Sequence, residues 1–143
     1  MAAETLLAFD YGRRRIGVAV GNTLTGEARP LTTVPSGELG PDWKAIDALV
    51  AEWRPDRLVV GVPYNADGSE SGLGKEARGF ALRLSGRCSI PAETIDERLT
   101  SSEALDRLRT ARRTGQARRR VARSDVDSLA AAVILESWLH NHA

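Results

Sequence analysis

Cysteine and histidine are scarce in this sequence. Cys88 is the single cysteine, and the two histidines, His140 and His142, both lie within the last four residues. One cysteine excludes an internal disulfide and any cysteine-cluster metal site. Because the rest of the chain has no histidine, it offers no Ser-His or Cys-His pair for acyl transfer or covalent hydrolysis. Hydrolytic chemistry in this chain would therefore depend on other groups, such as carboxylates.

Long apolar runs are also absent. No stretch is long enough to span a membrane, and the first residues show no basic region followed by an apolar core. We therefore expect neither membrane insertion nor secretion, but a cytoplasmic protein. The chain has 143 residues, 42% of them hydrophobic, which suits one domain over residues 1–143 with one ordinary core. The net charge of +1 is too small to indicate a partner.

Positive charge is nevertheless concentrated in one segment. Residues 107–123 contain eight arginines around Gly115. Such a segment is typical of phosphate contacts that bind nucleic acid without sequence preference, and Arg118, Arg119 and Arg120 are its densest group. No aromatic residue is interleaved with them, so stacking on single-stranded bases is not indicated. The alternative is a solvated connector between two helices.

The pattern of apolar residues predicts a mixed α/β fold. Apolar runs at 6–10 and 16–21 predict a hairpin, and 28–34 predicts a third strand, which Pro30 restricts to an edge or a late start. The later segments alternate between helix and strand: helix 42–53, strand 58–62, helix 75–85, strand 90–95, and helices starting near Thr100 and Ser124. This order predicts a five-stranded sheet, three strands antiparallel and the others parallel, with helices on both faces.

Three acidic residues stand where an apolar run meets a polar turn or a helix start: Asp10, Glu97 and Asp127. In open sheets of this kind, ligands collect beyond the carboxyl ends of the strands. Carboxylates that a fold delivers separately to one edge are the usual ligands of magnesium in phosphodiester chemistry. We therefore predict a site for Mg²⁺ or Mn²⁺ that these acids form.

Each acid also has a purely structural interpretation. Asp10 is a turn-favouring residue at a strand end, and Glu97 is an acid at a helix entry, where it interacts favourably with the helix dipole. Asp127 completes a Ser124-x-x-Asp127 capping pattern. Asp125 competes with Asp127 for the third ligand position, because a shift of two residues exchanges their roles.

Four motifs follow one another along nearly the whole chain. They are Leu7-Ala8-Phe9-Asp10-Tyr11-Gly12 with Ile16-Gly17-Val18-Ala19, Val60-Gly61-Val62-Pro63-Tyr64-Asn65-Ala66-Asp67-Gly68, Asp96-Glu97-Arg98-Leu99-Thr100, and Val126-Asp127-Ser128 before Ala131-Ala132-Val133-Ile134-Leu135. In this order they resemble the YqgF family, also called RuvX. The resemblance implies a ribonuclease H-like fold related to Holliday junction resolvases. It also implies a nuclease that matures pre-16S ribosomal RNA.

The same resemblance implies roles for individual residues. Asp10, Glu97 and Asp127 would be the metal-binding acids of the catalytic site. Asn65 and Asp67 would shape the adjacent substrate loop, and Arg98 would flank the scissile phosphate. Arg13 and Arg14 are predicted here as further contacts to the nucleic acid. The chain departs from the family at Arg13-Arg14-Arg15, where a small hydroxyl residue and a single basic residue are frequent. The implied partners are structured RNA, branched DNA or ribosomal precursor particles, with no membrane; the oligomeric state stays open.

Two other function classes compete with a nuclease. Asp10-x-Gly12 before a second strand also resembles the phosphate-binding hairpin of sugar kinases and chaperone ATPases, but those proteins need two lobes to enclose a nucleotide. A non-catalytic module, in which the arginine segment binds nucleic acid and the acids only cap helices, is the second. ATP binding would favour the first class, and binding without cleavage under any divalent metal would favour the second.

Overall fold

A computed structural model describes residues 3–65, 67–97 and 123–142, with the backbone alone for 123–126. The described strands are β1 (Thr5–Asp10), β2 (Arg15–Asn22), β3 (Ala28–Gly37), β4 (Gly40–Pro41), β5 (Arg57–Val62) and β6 (Ala92–Asp96). The described helices are α1 (Trp43–Trp53), α2 (Gly72–Cys88) and α3 (Arg123–Asn141). None of these helices is long and apolar enough to cross a membrane. The helix predicted from Thr100 lies outside the described residues.

The strands form one mixed sheet in the order β4-β3-β2-β1-β5-β6. β1, β2, β3 and β4 are joined by antiparallel pairs, whereas β5 lies parallel to both β1 and β6. The predicted mixed sheet is confirmed, but the predicted count of five was one short among the described strands. β4 has two residues, Gly40 and Pro41, and is too short to produce an alternating pattern.

Pro30, the first of two prolines in β3, lies at an edge as the sequence predicts. Pro30 pairs with Ala19 beside a register shift in β2 between Val18 and Ala19. On its other side β3 is paired with β4 only at Ser36 and Gly37, so Pro30 lies on the open part of the edge. Edge positions are where a sheet tolerates proline, because an N–H that faces solvent contributes no hydrogen bond to the ladder.

Alternation along β1 divides the core into two layers. Leu7 and Phe9 pack with α1 and α2 on one face, whereas Leu6 and Ala8 pack with α3 on the other. Successive side chains of a strand point to opposite faces, so Asp10 follows Leu6 and Ala8 onto the α3 face. The predicted helices on both faces are confirmed, and Asp10 stands where the α3 layer reaches the end of β1.

α2 begins three residues earlier than the sequence pattern predicts. Ser71 is its N-cap: the Oγ atom accepts a hydrogen bond from the Gly74 N–H at 2.9 Å and donates one to the Pro63 carbonyl at 2.9 Å. The periodicity of apolar residues starts only at Ala77, which is why the first turn was missed. At the other end, α2 runs on to Cys88, a half-buried residue whose thiol pKa is raised mainly by burial. A raised pKa suits a structural cysteine rather than a nucleophile.

Replacing Gly79 or Gly86 by alanine should stabilise the protein. Both lie inside α2 without a positive φ, and a Cβ added at either would have nothing within 4 Å. We predict that Gly79→Ala and Gly86→Ala each raise the free energy of unfolding by about 0.5–1 kcal/mol, because alanine loses less backbone entropy on folding. Urea denaturation measures the change. Gly74→Ala is the control that should destabilise, since its Cβ would lie 2.5 Å from the Pro63 carbonyl oxygen.

Candidate active site

Asp10 sits between two glycines in the sheet. It pairs with Gly17 of β2 on one side and with Gly61 of β5 on the other. Residues that pair directly across neighbouring strands point to the same face, so both glycines leave open space beside the Asp10 side chain on the α3 face. Two other elements occupy that space.

Because Gly17 has no side chain, the start of α3 can lie directly against β2. A Cβ at Gly17 would collide with the Asp127 carbonyl oxygen and lie 2.9 Å from the Ser128 nitrogen. The backbone of α3 at Asp127 is therefore in direct contact with β2, and Ser128 is buried there. The missing side chain at Gly17 thus sets how closely Asp127 approaches Asp10.

Gly61 admits Glu97. A Cβ at Gly61 would lie 2.9 Å from Oε1 of Glu97 and 2.7 Å from Cδ1 of Ile134. Glu97 directly follows β6, and Ile95, two residues earlier, pairs with Gly61. Glu97 therefore leans over Gly61 toward Asp10. Gly12 has a different neighbour, because a Cβ there would lie 2.5 Å from the Arg15 carbonyl oxygen.

The carboxyl groups of Asp10 and Glu97 are hydrogen-bonded to each other. Burial, followed by the charge of Glu97 and the hydrogen bond to it, raises the pKa of Asp10 well above its usual range, and the charge of Asp127 adds to this. Burial also raises the pKa of Glu97, although the hydrogen bond from Asp10 opposes it. The Asp10 residue keeps some exposure at the sheet edge, but protein surrounds its carboxyl group closely. The pair therefore favours a shared proton, with Asp10 donating to Glu97.

Asp127 is turned toward a partner that sequence reasoning missed. Its Oδ2 atom accepts a hydrogen bond from Nε of Arg15 at 2.8 Å. Arg15 opens β2 two residues before Gly17, so its side chain lies on the α3 face as well. The spacing Arg15-x-Gly17 is the signal that could have placed Arg15 here. Among the described residues, no three acidic, histidine or cysteine side chains stand close enough to enclose a metal ion.

Asn65 and Asp67 shape the loop between β5 and α2. Nδ2 of Asn65 donates to Oγ of Ser69 at 2.9 Å, and Oδ1 of Asp67 accepts from the backbone nitrogen and from Oγ of Ser69 at 2.9 and 2.6 Å. Gly68 closes the turn with φ of 89°. These bonds give the two residues a role in loop conformation. Their contact with nucleic acid stays a prediction.

The structure describes only two of the predicted basic contacts, Arg13 and Arg14. Arg13 pairs with Glu76 of α2 at 2.7 Å, on the face opposite α3. Arg14 is exposed, and its carbonyl accepts from the Ser36 N–H at 2.9 Å. The remaining predicted contacts lie outside the described residues: Arg98, Arg118, Arg119 and Arg120. The side chain of Asp125, the alternative to Asp127 as third ligand, lies outside them as well.

In the metal-free protein, ionisation of Asp10 at high pH should lower the stability of the fold. The raised pKa of Asp10 means that the folded state binds a proton more tightly than the unfolded state, so the stability that Asp10 contributes is fully present below about pH 4 and is lost as the pH rises through the folded pKa. Asp10→Asn removes the ionisation while its amide still donates to Glu97. We predict that in chelator Asp10→Asn has the higher Tm at pH 8, and that the difference shrinks toward pH 4. If the wild type and Asp10→Asn had equal Tm values at both pH values, the pKa of Asp10 would not be raised in the folded protein.

Sequence comparison decides the family. The family model described as RuvX, Holliday junction resolvase, matches residues 4–141. The chain belongs to the RuvX family. A relative in Azotobacter vinelandii, named "Putative pre-16S rRNA nuclease", is 50% identical over 135 residues, covering 94% of this chain and 92% of the relative. A relative of the same name in Pseudomonas aeruginosa is 48% identical over 138 residues, covering 96% and 92%.

Solved structures show the same fold. RuvC of Thermus thermophilus, in complex with a Holliday junction substrate, superposes with a TM-score of 0.54 at 17% identity, covering 97% of this chain and 95% of that one. The fowlpox virus Holliday junction resolvase gives a TM-score of 0.58 at 10% identity, covering 97% and 99%. The ribonuclease H-like fold implied by the four motifs is confirmed. Membership of the RuvX family makes the chain an enzyme of the nuclease class.

Proposed function

We propose that this RuvX protein is a divalent-metal-dependent endonuclease that hydrolyses phosphodiester bonds in 5′-end maturation of pre-16S ribosomal RNA. The observation that carries the proposal is the contact between the Asp10 and Glu97 carboxyl groups at the sheet edge, in space that two glycines leave free. Burial raises the pKa of both carboxyl groups, and two such groups held together are costly to a fold unless they have a function.

The site suits a hard divalent cation such as Mg²⁺ or Mn²⁺. All its donors are carboxylate oxygens, and a cation would offset the negative charges of Glu97 and Asp127, which add to burial in raising the pKa of Asp10. Asp10, Glu97 and Asp127 would hold it. A cation at this edge would polarise the phosphodiester and activate the attacking water, so no nucleophilic side chain is needed.

The residues around the acids have separate tasks in this proposal. Gly17 and Gly61 set the spacing of the acids, and the loop that Asn65 and Asp67 stabilise borders the same end of β5. Contact with the nucleic-acid backbone would come from basic side chains, which bind phosphate with little sequence preference. These are Arg13, Arg14, Arg98, Arg118, Arg119 and Arg120.

RNA as substrate is supported by the relatives. Proteins named as pre-16S rRNA nucleases match at 45–50% identity over at least 94% of this chain. A role in ribosomal RNA maturation would place the protein in the cytoplasm, among ribosomal precursor particles.

Resolution of Holliday junctions is the second candidate. It is favoured by the description of the family model and by the fold shared with junction resolvases. A two-fold junction would suit a dimer of this chain, whereas trimming an RNA end needs only one copy.

A cleavage assay with both substrates separates the candidates. The full chain is incubated with end-labelled RNA that carries the pre-16S 5′ leader, or with a four-way DNA junction, in Mg²⁺, Mn²⁺ or chelator. The proposal expects metal-dependent cutting of the RNA. Cutting of the junction alone would favour the resolvase, and binding of either substrate without cutting in any metal would favour a non-catalytic module.

A further inference from the structure

Arg15 forms an ion pair with Asp127, one of the three acids. Its Nε atom lies 2.8 Å from Oδ2 of Asp127, and both side chains are partly shielded, with exposed fractions of 39% and 29%. Asp127 is near enough for its charge to raise the pKa of Asp10. Yet no three acids in the described part of the chain are arranged to enclose a metal ion. In the structure, the Asp127 carboxylate is therefore paired with Arg15 and is not grouped with Asp10 and Glu97.

Asp127 can change partners only through its side chain. Its backbone is packed against Gly17, where even a methyl group would collide with the Asp127 carbonyl oxygen. Ser128, the next residue, is 5% exposed, so the start of α3 has little freedom to shift. Rotation about the Asp127 side-chain bonds moves the carboxylate without moving the helix.

We propose that Arg15 is a positioning residue that competes with the divalent cation for Asp127. In the metal-free protein it holds the carboxylate beside the site, and cation binding turns that carboxylate from Arg15 toward Asp10 and Glu97. The proposal depends on the proposed function, because it assumes that these acids bind the cation.

When Asp127 turns from Arg15 to the cation, the guanidinium of Arg15 becomes available to bind the substrate. Guanidinium carries five N–H donors in a planar fork that matches phosphate oxygens. Once Asp127 has turned away, Arg15 can donate to a phosphodiester at the same sheet edge. Cation and nucleic acid would then each favour the binding of the other, because both favour the separation of Arg15 from Asp127.

Calorimetric titration of the full chain with Mn²⁺, in the absence of nucleic acid, tests the competition. We expect Arg15→Gln to lower the Kd for Mn²⁺ about fivefold, since a partly exposed ion pair no longer opposes the cation. Arg14→Gln is the matched control: it removes the same charge from the exposed neighbour and should change the Kd by less than about twofold. An unchanged or higher Kd in Arg15→Gln would overturn the proposal.

A double-mutant cycle separates competition from simple charge repulsion. In an Asp127→Asn background, Arg15→Gln should have no effect on Mn²⁺ binding, because the shared carboxylate is gone. If it tightens binding there as much as in the wild type, Arg15 acts only through its charge and the proposal fails. Arg15→Lys is a second variant in case the glutamine variant does not fold. It keeps the charge without the fixed Nε–H, so we expect a smaller decrease in Kd.

Asp10→Asn shows which proposal has failed. If the wild type and Asp10→Asn bind Mn²⁺ equally, the acids are not the cation site and the proposed function fails. If Asp10→Asn weakens binding but Arg15→Gln behaves like Arg14→Gln, only the role of Arg15 is overturned.

Discussion

Asp10→Asn should reduce cleavage of the pre-16S leader RNA by about 10³-fold, because a bound cation supplies several kcal/mol of transition-state stabilisation. An amide has nearly the shape of a carboxylate but is a far poorer ligand for magnesium. The substitution keeps a donor for the hydrogen bond to Glu97, so the fold should survive. Single-turnover cleavage at saturating enzyme measures the chemical step, and a Tm at least equal to that of the wild type shows that the variant is folded.

Asp96→Asn is the control for this experiment. Asp96 ends β6 next to Glu97, but it follows Ile95 and so points to the opposite face. We expect its cleavage rate to stay within about threefold of the wild type, since it removes a charge near the site without removing a ligand. If Asp96→Asn lost as much activity as Asp10→Asn, general charge loss rather than a specific ligand would explain both. Wild-type activity in Asp10→Asn would remove Asp10 from the mechanism.

Gly17→Ala should damage both stability and cleavage. The new methyl group would collide with the Asp127 carbonyl oxygen, so α3 must shift away from β2. Overpacking of this kind costs about 1–3 kcal/mol, and a displacement of about 1 Å at a catalytic group can cost about a hundredfold in rate. Urea denaturation and single-turnover cleavage of the RNA measure the two effects.

Gly37→Ala is the matched control. Gly37 also lies in the sheet, at the end of β3, but a Cβ there would have nothing within 4 Å and its φ is not positive. It should leave both quantities near wild type. If Gly17→Ala behaved like Gly37→Ala, the close approach of α3 to β2 would not set the position of Asp127.

The sequence predicts the face on which Asp10 lies, but not the residues that surround it. The alternation Leu6, Ala8, Asp10 places Asp10 on a definite face of β1, and this can be read directly from the residues. That Gly17 and Gly61 both pair with Asp10 depends on strand register and on the order β2-β1-β5, which local patterns do not specify. Their role in making room for Asp127 and Glu97 therefore became visible only in three dimensions.

Arg15 was missed for a related reason. It is separated from Asp127 by 112 residues, and the sequence shows it only as the third of three arginines. Side-chain alternation could have linked it to Gly17 and hence to the face of Asp10, but nothing in the sequence names its partner. Asn65 and Asp67 show a different limit: a polar loop predicts a ligand contact and an internal hydrogen-bond network equally well.

Anomalous diffraction from crystals of the full chain soaked in Mn²⁺ would locate the cation relative to the three acids. We expect an anomalous peak within bonding distance of carboxylate oxygens of Asp10 and Glu97 at the carboxyl end of β1, and no such peak in Asp10→Asn crystals. If manganese bound elsewhere and the Asp10 and Glu97 carboxyl groups stayed hydrogen-bonded to each other, these acids would not be the cation site.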